Sequence, residues 1–149
     1  MIIVERNSPK HPQASDLLRQ SHAYLDTHFP PEENFGLDID GLCVDTIRFF
    51  TARIGDTILG TGALSIKDGY GEVKSMFTSP AARGKGVASA LLRQIEDEAR
   101  AEGLPLLRLE TGVPLVEAVA LYDRLGFTRR GPFGDYPDLA SSIFMEKAL

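Results

Sequence analysis

"GEVKSMFTSPAARGKGVASALL", residues 71–92, changes its period halfway through. Residues 72–79 read as a strand that stops at Pro80, because a proline cannot donate to a sheet ladder. From Val87 or Ala88 onward, Leu91, Leu92, Ile95 and Ala99 recur at the spacing of one buried helical face. Between the two lies Arg83-Gly84-Lys85-Gly86. The first N–H groups of a helix have no internal partners and carry partial positive charge. Gly84 and Gly86 remove the Cβ atoms that would keep a ligand from that backbone, and Arg83 and Lys85 add charge. A strand, a glycine turn and a helix in this order predict an anion site, with phosphate the natural occupant.

Upstream, "IIVER" (2–6) reads as a first strand, followed by a helix over 12–29. Its stripe is Ala14, Leu17, Leu18, Ser21, Tyr24, Leu25 and His28, and Pro30 and Pro31 end it. Residues 31–42 are acidic and irregular, with room for a short helical turn. "DTIRFFTARI" (45–54) and "TILGTGALSIK" (57–67) read as strands around a Gly55-Asp56 hairpin turn. Gly60 and Gly62 mark a bulge in the second of them. Downstream, the helix runs to about Glu102, where Gly103 stops it. A strand at 104–111 and a helix at 115–125 follow, and then two strands at 127–131 and 141–147. The chain is expected to form one α/β (α+β) domain over residues 1–149, in the order β-α-(α)-β-β-β-α-β-α-β-β.

Bulk properties narrow the function classes. A chain of 149 residues can bury roughly 70% of its unfolded surface and needs no staples. The formal net charge of -5 argues against nucleic acid and acidic membranes as partners. No apolar run approaches the length of a membrane span, and "MIIVERNSPK" lacks a basic segment ahead of an apolar core, so no signal peptide is expected. Cys43 is the only cysteine, flanked by Leu42 and Val44, and reads as a small buried hydrophobe. His11, His22 and His28 are isolated, so no metal site is expected, and a reducing cytoplasm is the default location.

Two phosphate motifs fail on spacing. The Walker pattern needs a glycine where Ser79 stands, and Lys85 is followed by Gly86 rather than Ser or Thr. The dinucleotide fingerprint needs Gly or Ala where Ser89 stands. Arg83-Gly84-Lys85-Gly86-Val87-Ala88 instead matches Arg/Gln-x-x-Gly-x-Gly/Ala. With Glu72 opening the preceding strand, "LETG" at 109–112, "ALYDRLGF" at 120–127 and "GPFGDY" at 131–136, the chain resembles the GNAT superfamily of acetyl-CoA-dependent N-acetyltransferases. The likeness is strong over about residues 45–148 and looser before them.

That resemblance implies a mainly antiparallel mixed sheet, splayed between the strand at 72–79 and the strand at 104–111. It implies acetyl-CoA as co-substrate, no metal, and a primary amine of a small or amino-acid-like molecule as acceptor. Carried over residue by residue, the pyrophosphate falls to Arg83, Gly84, Lys85, Gly86, Val87, Ala88 and Ser89. The pantetheine falls to the exposed backbone of Met76, Phe77 and Thr78, with the Met76 amide at the thioester carbonyl. Tyr122 matches the family's general acid, and Glu72 matches a strand-initial base, with Glu110 as its rival. Phe29, Glu33, Asn34, Lys74, Glu110 and Tyr136 border the acceptor side, where Glu32 and Asp135 add negative charge. Leu115 departs from the family's frequent Asn, although Ala118 and Leu121 keep the pattern. Acetylation of a protein N-terminus or lysine is an alternative, as is a CoA sensor without turnover. A monomer or a homodimer is expected.

Overall fold

The computed structural model describes all 149 residues. Seven strands form one sheet: β1 (Ile3–Arg6), β2 (Ile47–Ile54), β3 (Thr57–Ile66), β4 (Gly71–Thr78), β5 (Leu106–Gly112), β6 (Thr128–Arg130) and β7 (Ser142–Ala148). Their spatial order is β1-β2-β3-β4-β5-β7-β6. Every pairing is antiparallel except β4 with β5. Three helices cover the faces: α1 (Pro12–His28), α2 (Val87–Ala101) and α3 (Val116–Arg124). The irregular acidic stretch holds two short 3-10 turns, at Pro31–Glu33 and Asp40–Leu42.

Side-chain alternation splits the core into two layers. On one face, Leu91, Leu92, Ile95 and Ala99 of α2 pack with Phe50, Leu64, Val73, Leu107 and Leu109 of the sheet and Tyr122 of α3. On the other, Ala14 and Leu18 of α1 pack with Leu42, Ile47, Phe49 and Ala63. The predicted face of α2 is the buried one, and Val87 rather than Ala88 begins it. The apolar stripe of α1 is buried only as far as Ser21; Tyr24 is 41% exposed. Cys43 is exposed and corrects the expectation of burial: it follows a 3-10 turn on the surface, where its thiol donates to the Ile39 carbonyl at 3.2 Å.

Two register shifts shape the middle of the sheet. Leu59, beside Gly60, is the extra residue opposite Ala52 and Arg53. In β4, Ser75 and Met76 together oppose Gly62, and Ser75 stands at φ 56. The buried Thr61 hydroxyl locks this bulge by donating to the Ser75 carbonyl at 2.8 Å. Bulges bend a strand and end its pairing on one side. Here β4 pairs with β5 only at Gly71–Leu107 and Glu72–Arg108, and beyond them the strands part.

Gly60 sets how closely α2 approaches this opening. A Cβ there would lie 2.5 Å from Val87 Cγ1 and 3.1 Å from both Leu91 Cδ1 and the Phe77 carbonyl oxygen. Gly60→Ala is therefore expected to destabilise the fold by about 1–3 kcal/mol through overpacking, measured by urea unfolding. A variant as stable as the wild type would show that the helix gives way freely.

Candidate active site

The loop before α2 is built by its glycines. Gly84 and Gly86 adopt φ +79 and φ +84, which disfavour any side chain, and the space beside each is open. Gly86 is the N-cap of α2, and no side chain caps that end. The first amide to find a helical carbonyl is that of Ala90, bonded to Gly86 at 3.0 Å. The amides of Gly84, Gly86, Val87, Ala88 and Ser89 donate to no carbonyl of the chain. Five unpaired N–H groups at the start of a 15-residue helix form a cradle for an anion. Arg83 stands beside them, its guanidinium 4.0 Å from Glu117 on α3.

A cleft of about 780 Å³ begins at this cradle and passes through the gap between β4 and β5. Of the residues expected at a cofactor, Met76, Phe77, Thr78, Arg83, Gly84, Gly86, Val87, Ala88 and Ser89 line it. Lys85 does not; its side chain lies outside the cleft. Leu115, Ala118 and Leu121 of α3 form part of the same wall. Leu115 is the N-cap residue of α3 and supplies no side-chain cap.

Tyr122 also lines the cleft, although only 6% of it is exposed. Its ring packs edge-on against Phe127 at 5.6 Å between centroids. Burial alone pushes its phenol well above the ordinary tyrosine value, so the hydroxyl keeps its proton.

Across the sheet the cleft continues below α1. Leu107 and Leu109 face α2, so alternation sends Arg108, Glu110 and Gly112 to the α1 face. Glu110 lines the cleft and accepts a hydrogen bond from the Ser142 hydroxyl at 3.0 Å. Burial raises its pKa to about 7; the Ser142 hydrogen bond and the Lys74 charge oppose that rise, and the Glu72 charge adds to it. A carboxyl with this proton affinity can accept a proton near neutral pH.

Glu72 has a different environment. It is only 4% exposed and does not line the cleft. Tyr136 donates to its carboxylate, and Lys74 Nζ lies 3.5 Å from it. The loop between β6 and β7 supplies Tyr136, whose ring packs on Phe133 and Phe144 and so closes over Glu72. Burial, then the Glu72 charge, pushes the Tyr136 phenol up. Tyr136 therefore stands behind the cleft wall rather than in it, and Asp135 and Glu32 are exposed and do not line the cleft. Lys74 does line the cleft, with Phe29, Glu33 and Asn34 on the α1 side. Sequence reasoning left out Tyr24, Leu25 and Phe35 as lining residues. In sequence the first two are indistinguishable from the buried part of the α1 stripe.

The model of the "Acetyltransferase (GNAT) family" matches residues 12–127. An "IAA acetyltransferase" from Azospirillum brasilense is 45% identical over 99% of this chain and 98% of its own length. The "Uncharacterized N-acetyltransferase YsnE" of Bacillus subtilis is 41% identical over 80% of this chain and 82% of its own length. A Klebsiella pneumoniae protein classed with the acyl-CoA N-acyltransferases superposes with TM-score 0.84 and 29% identity, covering 100% of this chain and 98% of the other. The PaiA N-acetyltransferase of Thermoplasma acidophilum, solved with coenzyme A, shares the fold at TM-score 0.77 and 18% identity over 100% of this chain and 99% of its own. Cradle, splayed strands and these likenesses agree: the chain belongs to the GNAT family of acetyltransferases.

Proposed function

We propose that the protein transfers the acetyl group of acetyl-CoA to a primary amine of a small molecule, by direct attack with both substrates bound. One observation carries this reading. Five unpaired amides, a protonated phenol and a carboxyl of pKa about 7 open onto one cleft that crosses the sheet. The cradle fits a pyrophosphate, because helix-start amides and the Arg83 guanidinium together offset much of a dianion's charge. The parted edge of β4 at Met76–Thr78 supplies backbone groups for a pantetheine arm laid along it. The Met76 amide is the donor assigned to the thioester oxygen. Cofactor and acceptor then meet in the gap between β4 and β5.

Acid–base roles follow from environment. Glu110, open to the acceptor side, takes one proton from the ammonium and frees the nitrogen lone pair. The nitrogen–carbon bond forms and the carbon–sulfur bond breaks. Tyr122 gives its proton to the departing sulfur and recovers one from the new amide nitrogen. The proton on Glu110 leaves to solvent. A thiolate has an ordinary pKa of about 8.5, and a dry wall raises it further, so a neutral phenol stabilises the charge as it develops. Glu72 is sealed behind Tyr136 and Lys74, and the base role is assigned to Glu110 rather than to it. The Azospirillum relative's name, IAA acetyltransferase, is compatible with a small-molecule acceptor.

Acetyl-CoA is expected to stabilise the protein by about 2.7 kcal/mol at 100 times its Kd, read as a rise in Tm. Gly86→Asp places a negative side chain at φ +84 beside the cradle and is expected to remove that rise while the far-ultraviolet circular dichroism stays native. An unchanged wild-type Tm at saturating acetyl-CoA would sink the cofactor assignment.

A further inference from the structure

The acceptor half of the cleft is walled by apolar and aromatic side chains that the fold covers only in part. Tyr24 and Leu25 continue the stripe of α1 past its buried part. Phe29 stands over Gly112, where a Cβ would lie 2.2 Å from its ring. Phe35 closes the end, its ring edge-on to Tyr136 at 5.4 Å. A body that fills this space gains by leaving water.

The charged groups there are one-sided. Glu110 and Glu33 line this half, and each receives one hydroxyl donor, from Ser142 and from Ser141 respectively. Both retain an oxygen for an incoming ammonium. Lys74 is the only lysine or arginine lining this half, and its ammonium is already engaged within the chain. It donates to the Phe35 carbonyl at 3.3 Å and to the Tyr136 hydroxyl at 2.9 Å, and it lies 3.5 Å from the Glu72 carboxylate. His22 is engaged with the Leu37 carbonyl at 2.9 Å. Arg108, on the same face of the sheet, is held by Glu146 at 2.7 Å and does not line the cleft. Arg83 and Arg124 belong to the loop before α2 and to α3, on the opposite face.

We propose, on the basis of the acetyltransferase reading above, that the acceptor is an arylalkylamine: a primary amine on an apolar or aromatic body with no carboxylate beside the nitrogen. A free α-amino acid would place its carboxylate among Glu33 and Glu110 with no cation free to meet it. Such like-charge contact in a partly dry site disfavours the amino acid. Of the small and amino-acid-like acceptors expected from sequence, this proposal selects the small amine.

The test compares phenethylamine, L-phenylalanine and ethylamine as acceptors, with product confirmed by mass. The values of kcat/KM are expected to favour phenethylamine over L-phenylalanine by at least about 10²-fold, and over ethylamine by at least about tenfold. Phe29→Ala is expected to shrink the phenethylamine-to-ethylamine ratio about tenfold. Tyr136→Phe releases one donor of Lys74 and is expected to narrow the gap between phenethylamine and L-phenylalanine. L-Phenylalanine used as well as phenethylamine, or ethylamine used equally well, overturns the proposal. So does a failure of all three amines while acetyl-CoA still raises Tm. If acetyl-CoA does not raise Tm either, the cofactor assignment falls first.

Discussion

Glu110→Gln is expected to lower kcat/KM for amine acetylation by about 10²–10⁴-fold, the range for loss of a positioned general base. The amide keeps the size of the side chain, and its carbonyl oxygen can still accept from Ser142, so the fold is retained. The wild-type profile of kcat/KM against pH should fall on the acid side below about pH 7, where Glu110 takes up its proton. The variant should lose that limb. Stability should move the opposite way. The folded pKa of Glu110, about 7, lies above its ordinary value of 4.5. The protonated form is the one that burial favours, so its contribution to stability is full below pH 4.5 and is lost as the pH rises through 7. At pH 8 the wild type holds a desolvated carboxylate that the variant lacks. Glu110→Gln should therefore unfold at a higher Tm than the wild type at pH 8, with the difference vanishing near pH 4. An active variant with an unchanged acid limb would remove Glu110 from the chemistry.

Tyr122→Phe is expected to lower kcat by on the order of 10²-fold while acetyl-CoA binding changes little. The ring is 6% exposed and packs on Phe127, and phenylalanine keeps that packing. Only the hydroxyl is lost, and its proton is the one assigned to the departing sulfur. Single-turnover kinetics should show the loss in the chemical step rather than in product release. A variant that turns over at the wild-type rate would leave Tyr122 as a packing residue.

Why some of this site was legible in the sequence, and some not, follows from the range of the forces involved. The strand, loop and helix of residues 71–101 were readable because the apolar period changes at Gly86, and because positive φ at Gly84 and Gly86 is a local requirement. The splay between β4 and β5 followed from the family likeness, and the strand bounds fell within two residues of those observed. Deciding between Glu72 and Glu110 was beyond reach. The two carboxylates share a face of the sheet by alternation, and what separates them is Tyr136, 64 residues beyond Glu72, which caps one and leaves the other open. Lys85 reads like Arg83 in sequence, yet only Arg83 lines the cleft. Tyr24 and Leu25 read as core because a helical stripe does not reveal whether protein or ligand will cover it. Cys43 misled for the same reason: apolar neighbours predict burial only where a layer lies above them.

The most direct test of acetyl transfer is the rate of free thiol release from acetyl-CoA, followed across a panel of primary amines with the acceptor weighed by mass spectrometry. The structure predicts release that accelerates with amine concentration and saturates, with one acetyl group gained by the amine per thiol freed. Acetyl-CoA that binds and raises Tm, but releases thiol no faster with any amine than without, would contradict the account and make the protein a CoA sensor.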